Sequence, residues 1–465
     1  MGVPARYSTR RPGRYYAAAA AVLLFIIRAF WIRAGKGGPS LQVQVTPWVP
    51  GPRGNDYFDL PPLDSPAVRL VCNGQKWDSN TDTEVVFTCD NSVGDIVDIR
   101  NSVLNCVRYT ILAGGSLVMP RIVVLKGSGT RSDKQTAERK YMGYMFDTDH
   151  FTKSLRLSCP QLRLYDDVEE VYKTLGPPRT WSLGLFPESL IDEVKIPSTG
   201  IQHPNRWRGQ LYDWLGQVGS DVSPTGKYSR GPFIVDLGRS YLTFPIYNDG
   251  EPFAQAFGDI LKFRSDAREL ATKALLRMAK MSGSKLTRPG GDAVPSKEGS
   301  YADTILEHVY LGVYLGEGKN SEQALTLFAE TKQTADYLEQ AVSANLSLVY
   351  IANGDATQVR AFKDEANSKS ITVITKEDLL GISHGLEELQ RDQQALVDFL
   401  VLLSASQFSG AACSSFSWNV ALKRHSLAQS LKGRHKDEAP SFINQLNHLH
   451  GEPQSCPEFF ACLWP

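Results

Sequence analysis

Two stretches of this sequence put small, polar and charged residues where a strand hands over to a helix. The first is Asn91-Ser92-Val93-Gly94-Asp95, with Arg100 and Asn101 following. The second is Phe408-Ser409-Gly410-Ala411-Ala412-Cys413-Ser414-Ser415-Phe416. Free N–H groups at a helix N-terminus attract an anion, a glycine lets a ligand approach the backbone, and an arginine one turn in adds a full positive charge. Gly94, Asp95, Arg100 and Asn101 thus form one candidate phosphate site, and Ser414, Ser415 and Phe416 another. An N-cap serine most often serves the helix alone, so neither junction identifies a nucleotide site by itself.

Other chemistries find less support. Asp147-Thr148-Asp149 has the form of a metal–diphosphate motif, but such pairs arise by chance in a chain of 465 residues with 29 aspartates, and it is read as surface acid. His448 and His450 lie in a polar C-terminal tail with no third ligand in view and are read as solvated. No HExxH, CxxC or GxSxG pattern occurs, which removes the corresponding metal sites and the α/β-hydrolase nucleophile. No metal is expected.

The elements that would position these junctions follow from periodicity. In the later part, apolar runs at Val309–Leu315, Leu346–Ile351, Ile371–Ile374 and Gln407–Ala412 predict strands. Helical spacing of apolar residues marks Glu322–Ala344, Gly354–Ala366, Leu386–Leu403 and Ser414–Lys423. Earlier, Glu84–Thr88 reads as strand, Asp95–Gly114 as helix, and Leu117–Met119 and Ile122–Leu125 as strands. A polar insertion, Gly127–Lys140, comes next, and 150–282 reads as mostly helical. Strands alternating with helices predict an α/β fold of two Rossmann-like lobes with parallel sheets and a ligand cleft between them. A Gly/Pro/Ser-rich break at 283–300 separates a lobe at 67–282 from one at 301–425, and a tail, 426–465, follows.

Before the lobes, four arginines at 6, 10, 11 and 14 precede an apolar run from Tyr15 to Ile32, interrupted by Arg28. This predicts a cytosolic tail (1–14), an uncleaved transmembrane signal anchor (15–33), a Gly/Pro-rich stem (34–66) and a lumenal body in the endoplasmic reticulum or Golgi. A cleaved signal peptide is the rival reading. Lumenal exposure makes Cys72 with Cys89, and Cys456 with Cys462, candidate disulfides, the other three cysteines being read as buried thiols. It also makes Asn345 of Asn345-Leu346-Ser347 a glycosylation candidate. Lys+Arg and Asp+Glu number 50 each and the pI is near 7.1, which excludes nucleic-acid binding through bulk positive charge.

Taken in order, Gly94 through Tyr109 leading to Leu117-Val118-Met119-Pro120, His150-Phe151 through Gln161, Asp398, and Phe408-x-Gly410-x-x-x-Ser414-Ser415-Phe416-x-x-Asn419 resemble fungal proteins of the GDP-fucose protein O-fucosyltransferase type. The resemblance covers about 70–425. It implies a GT-B fold and a GDP-sugar donor, with inverting, metal-independent transfer of fucose and no cofactor. The acceptor stays open. Asp355, after a buried strand, would bind guanine or ribose hydroxyls. One departure stands out: the family's His-x-Arg, whose arginine contacts the pyrophosphate, is Tyr314-Leu315-Gly316 here. A catalytically inactive, membrane-tethered binding protein is therefore the alternative.

Overall fold

The computed structural model describes residues 56–77, 84–126, 136–191, 199–222, 231–284, 305–315, 327–352, 356–381, 384–412, 414–430, 446–450 and 456–465. The predicted anchor lies outside these. Among the described residues, no helix is long and apolar enough to cross a membrane. Asp355, Gly316, Cys413 and the linker from 285 to 300 also lie outside.

The first lobe is built on β1 (Val85–Thr88), β3 (Ser116–Val118), β6 (Leu164–Tyr165), β7 (Leu183–Leu185) and β8 (Phe233–Leu237), with β2 (Ser92–Val93), β4 (Arg121–Lys126) and β5 (Thr136–Tyr141) beside them. The main sheet is parallel, in the order β6-β3-β1-β8-β7. Both faces of its inner strands are buried, as crossover helices require. Val85 and Phe87 enter one apolar cluster, while Val86, with Val118 and Ile234, enters another. β2, β4 and β5 form a small mixed sheet. The last residues of the polar insertion thus pair as β5, and three strands lie in the region read as mostly helical. These are two to five residues long, too short to show a period of two.

The second lobe holds β9 (Leu311–Tyr314), β10 (Leu348–Ala352), β11 (Thr372–Ile374), β12 (Gln407–Ala411) and β13 (Asn447–His450), all parallel, in the order β11-β10-β9-β12-β13. The chain leaves β9 toward β10 and leaves β12 toward β13. The topological switch point therefore lies between β9 and β12, and ligands of such sheets bind outside the carboxyl ends there. The predicted helix from Leu386 divides into a short 3-10 turn, Leu386–Glu388, and a helix, Arg391–Leu403. The break is fixed where the Gln393 side chain accepts from the Gln390 N–H at 2.9 Å.

The reading of 426–465 as a tail is corrected. β13 completes the second sheet, and the last residues enter the core. Trp464 is fully buried, against Phe253 and Phe257. Its N–H donates to Asn101 Oδ1 (3.0 Å) and its indole N–H to Asn105 Oδ1 (2.6 Å). Its carbonyl accepts from Arg100 (2.7 Å) in the first lobe and from Asn419 (2.5 Å) in the second. The stem boundary also moves: Phe58 is buried, and Asp56 pairs with Arg268 at 2.8 Å.

The cysteine pairing differs from expectation. Cys72 bonds Cys159, and Cys89 bonds Cys106, with Cα–Cα distances of 5.5 and 6.1 Å. Cys456 is disulfide-bonded, while Cys462 is a free buried thiol. Cys72 lies on the helix Pro66–Asn73 and Cys159 caps the C-terminus of Thr148–Ser158; the two helices pack together, a proximity that exists only in the fold.

Candidate functional site

The first junction is built by the helix Ile96–Ala113. Asp95 is its N-cap, accepting from Val97 N (2.8 Å) and Asp98 N (2.9 Å), which satisfies two of the orphan N–H groups. Gly94 has φ +134°, and a Cβ there would run into the Asp98 side chain. Glycine is needed for that close packing, and the carboxylate of Asp98 occupies the ground in front of the helix.

Arg100 and Asn101 do not face this junction, which corrects the expectation from sequence. Both are buried, and both are held by the last residues of the chain. Arg100 donates to the carbonyls of Trp464 and Pro465, and Asn101 to that of Cys462. Arg100 also lines a small pocket with Asp259, Asn419 and Lys423.

The second junction opens the helix Ser415–Ser430. Ser414 caps it, its hydroxyl accepting from Ser417 N at 3.2 Å. Phe416 is buried and stacks on Tyr314 at the end of β9, with centroids 4.3 Å apart and planes within 13°. This ring pair lies at the switch point between β9 and β12.

The two junctions meet. The Ser415 hydroxyl lies within reach of the Asp95 and Asp98 carboxyls and of Tyr241, and its single proton serves one of them at a time. Arg239, 41% exposed, pairs with Asp98 at 2.9 Å and lies over the Tyr241 ring at 5.1 Å. Burial first, and then the Asp95 charge, push the Asp98 carboxyl up to about 6, against the pull of Arg239. Arg239, Tyr241 and Asp98 are residues the sequence reading missed. The available signal was Gly238-Arg239 directly after the stretch Phe233–Leu237, which is apolar except for Asp236.

Asn345 is exposed, in the left-handed region at φ 54° just after the helix Leu327–Ser343. Asp398, part of the matched motif, is buried against Tyr350 (2.6 Å) and Lys376 (2.7 Å), so it ties its helix to β10. Asp147 is not free surface acid: it caps the helix Thr148–Ser158 and pairs with the buried Lys262 and Arg268. His448 and His450 lie on β13 with rings stacked at 4.1 Å. Burial, with a smaller push from the His448 charge, lowers His450 to about 4. Among the described residues, no three His, Cys, Asp or Glu side chains converge as a metal-ligand set.

A model of the family described as GDP-fucose protein O-fucosyltransferase matches residues 86–427. No curated protein matches the chain. Among solved structures, POFUT1 in complex with GDP-fucose is 11% identical, with 75% of this chain and 96% of that chain covered and a TM-score of 0.41. POFUT1 in complex with GDP is 10% identical over the same shares, with a TM-score of 0.41. An Arabidopsis thaliana FUT1 variant in complex with GDP is 10% identical, covering 77% and 71%, with a TM-score of 0.37.

Proposed function

The chain belongs to the GDP-fucose protein O-fucosyltransferase family, and from that premise we propose that it transfers fucose from GDP-fucose to a hydroxyl of an acceptor, with the donor diphosphate at the meeting of the two junctions. The observation that carries this reading is the Ser415 hydroxyl of one lobe lying on Asp95, Asp98 and Tyr241 of the other, with Arg239 beside them. As GDP leaves, negative charge grows on its phosphates and must meet donors already in place. The N-terminus of the helix Ser415–Ser430 supplies N–H groups, and Arg239 supplies the charge that Gly316 lacks. The acceptor attacks from the opposite face, so the anomeric centre inverts, and the transfer needs no metal.

A second reading is a donor-binding protein without activity. Two features favour it: the Tyr314–Phe416 stack stands at the end of β9, where the resemblance expects the family's histidine, and on the donor reading the Asp95 and Asp98 carboxylates lie where the phosphates would come. Calorimetry with GDP and GDP-fucose, followed by a turnover assay, separates the readings. Micromolar binding with donor turnover supports the transferase; binding without turnover supports the second reading; no binding rejects both.

We further place the body in the lumen of the endoplasmic reticulum or Golgi, as a type II single-pass protein. The arginine cluster before the apolar run and the disulfides, which persist in oxidising compartments, support this. A C-terminal tag digested by protease in sealed membranes would reject it. A glycosidase shift lost in Asn345→Gln would support it independently.

A further inference from the structure

The central strands of the first sheet, β1 and β8, run side by side with Thr88 opposite Asp236. Asp236 sits at the carboxyl end of β8, and Asp90 two residues beyond Thr88. The two carboxylates are held differently. Asp236 accepts from Asn91 Nδ2 at 3.0 Å and from Thr88 Oγ1 at 3.2 Å. Asp90, half-buried, receives no hydrogen bond among the described residues. Its loop is nevertheless fixed, because Cys89 is bonded to Cys106 in the helix Ile96–Ala113 and Ser92 pairs with Ile122 of β4. The charged groups facing it are Arg121 from β4, Arg139 from β5 and Asp236 from β8. The Phe186 ring, 57% exposed, lies over Gly238, two residues beyond Asp236 in the chain, where a Cβ would come within 2.7 Å of it.

We propose that Asp90 is the general base of the transfer, accepting the proton of the acceptor hydroxyl, with Asp236 positioned beside it by Asn91 and Thr88. This rests on the donor reading above. The step balances. Asp90 takes the hydroxyl proton, the oxygen bonds to C1 of fucose, and the C1–O bond to the β-phosphate breaks with its electron pair leaving on GDP. The proton on Asp90 then passes to solvent. A base works best with a pKa near the working pH. Burial raises the Asp90 carboxyl against the pull of Arg121 and Arg139, and burial with the Asp90 charge raises Asp236.

The test uses the full chain, GDP-fucose, water as the acceptor, and azide as a nucleophile that carries no proton to remove. Asp90→Ala should slow GDP release at least a hundredfold while its affinity for GDP stays within twofold. Azide should restore release at least tenfold in that variant, with fucosyl azide as product, and should not stimulate the wild type. Asp90→Asn, which keeps the shape, should be as slow as Asp90→Ala with an unchanged melting temperature, so a folding defect is separated from a lost base. Release within threefold of wild type in either variant, or no azide rescue, overturns the assignment alone. So does a wild type that binds GDP-fucose and never turns it over. A wild type that binds no GDP-fucose overturns the donor reading, and this inference with it.

Discussion

The carboxyl ends of the two parallel sheets carry opposite kinds of side chain. In the first lobe they hold Asp90, Asp236, Asp98, Arg239 and Tyr241; in the second, the ring pair Tyr314–Phe416 and the hydroxyls of Ser414 and Ser415. Equivalent positions in similar layers therefore contribute different things: ionisable groups from one side, helix N–H groups, hydroxyls and a flat aromatic wall from the other. On the donor reading proposed above, the difference teaches that a charge absent from the motif of one lobe would be made up from the facing lobe. At this meeting point the cation is Arg239.

The comparison breaks most severely at Trp464, which both lobes hold by hydrogen bonds. Trp464→Ala removes a fully buried indole and should cost about 3–5 kcal/mol of stability. Thermal denaturation should show one transition moved down for the whole body. A second lobe melting at the wild-type temperature would mean that the lobes are independent, and that no shared site follows from their contact.

Next in size is Arg239→Ala. Removing a charge-assisted contact to a phosphate should weaken GDP binding by roughly 1.5–3 kcal/mol, on the order of 10- to 100-fold in Kd by calorimetry. Arg239→Lys should recover part of it, since lysine keeps the charge but not the fork. Unchanged affinity in Arg239→Ala would show that the second lobe supplies its own cation.

Arg239 also marks the limit of what the sequence discloses. The second lobe is legible because its strands are short apolar runs and its helices keep a clean spacing of three and four. Its last strand is not, since Asn447-His448-Leu449-His450 shows one apolar residue and is recognisable only by what it pairs with. Ser414 is legible as a cap because capping is local. Arg100 looks like a ligand group by its distance from Gly94, but the helix phase turns it toward Trp464, and only the fold brings residues 364 positions apart together. Disulfide connectivity fails for the same reason.

The pH dependence is smaller. Asp98 has a carboxyl pushed from 3.8 in the unfolded chain up to about 6, so the folded state prefers its protonated form. That contribution is full below about pH 4 and is lost as pH rises through 6, because the unfolded chain ionises first. The melting temperature should therefore fall between pH 4 and pH 7, and Asp98→Asn should flatten that fall. GDP should bind more tightly at pH 5 than at pH 7, because a neutral Asp98 leaves Arg239 free for phosphate. Equal affinity at both would place the diphosphate away from this pair.

The smallest expected effect, and the sharpest for the comparison, comes from Ser415→Ala. Ser414 is the cap, so losing the Ser415 hydroxyl should move stability by at most about 1 kcal/mol. GDP binding should weaken by less than tenfold, roughly one neutral hydrogen bond. The informative readout is the titration of Asp98. The Ser415 hydroxyl bond pulls that carboxyl down, against burial and the Asp95 charge. Without it, the Asp98 midpoint, followed by NMR, should climb above 6, although the substitution is in the other lobe. A midpoint that stays in place would mean that the hydroxyl serves only its own helix and that the two junctions are neighbours without being one site.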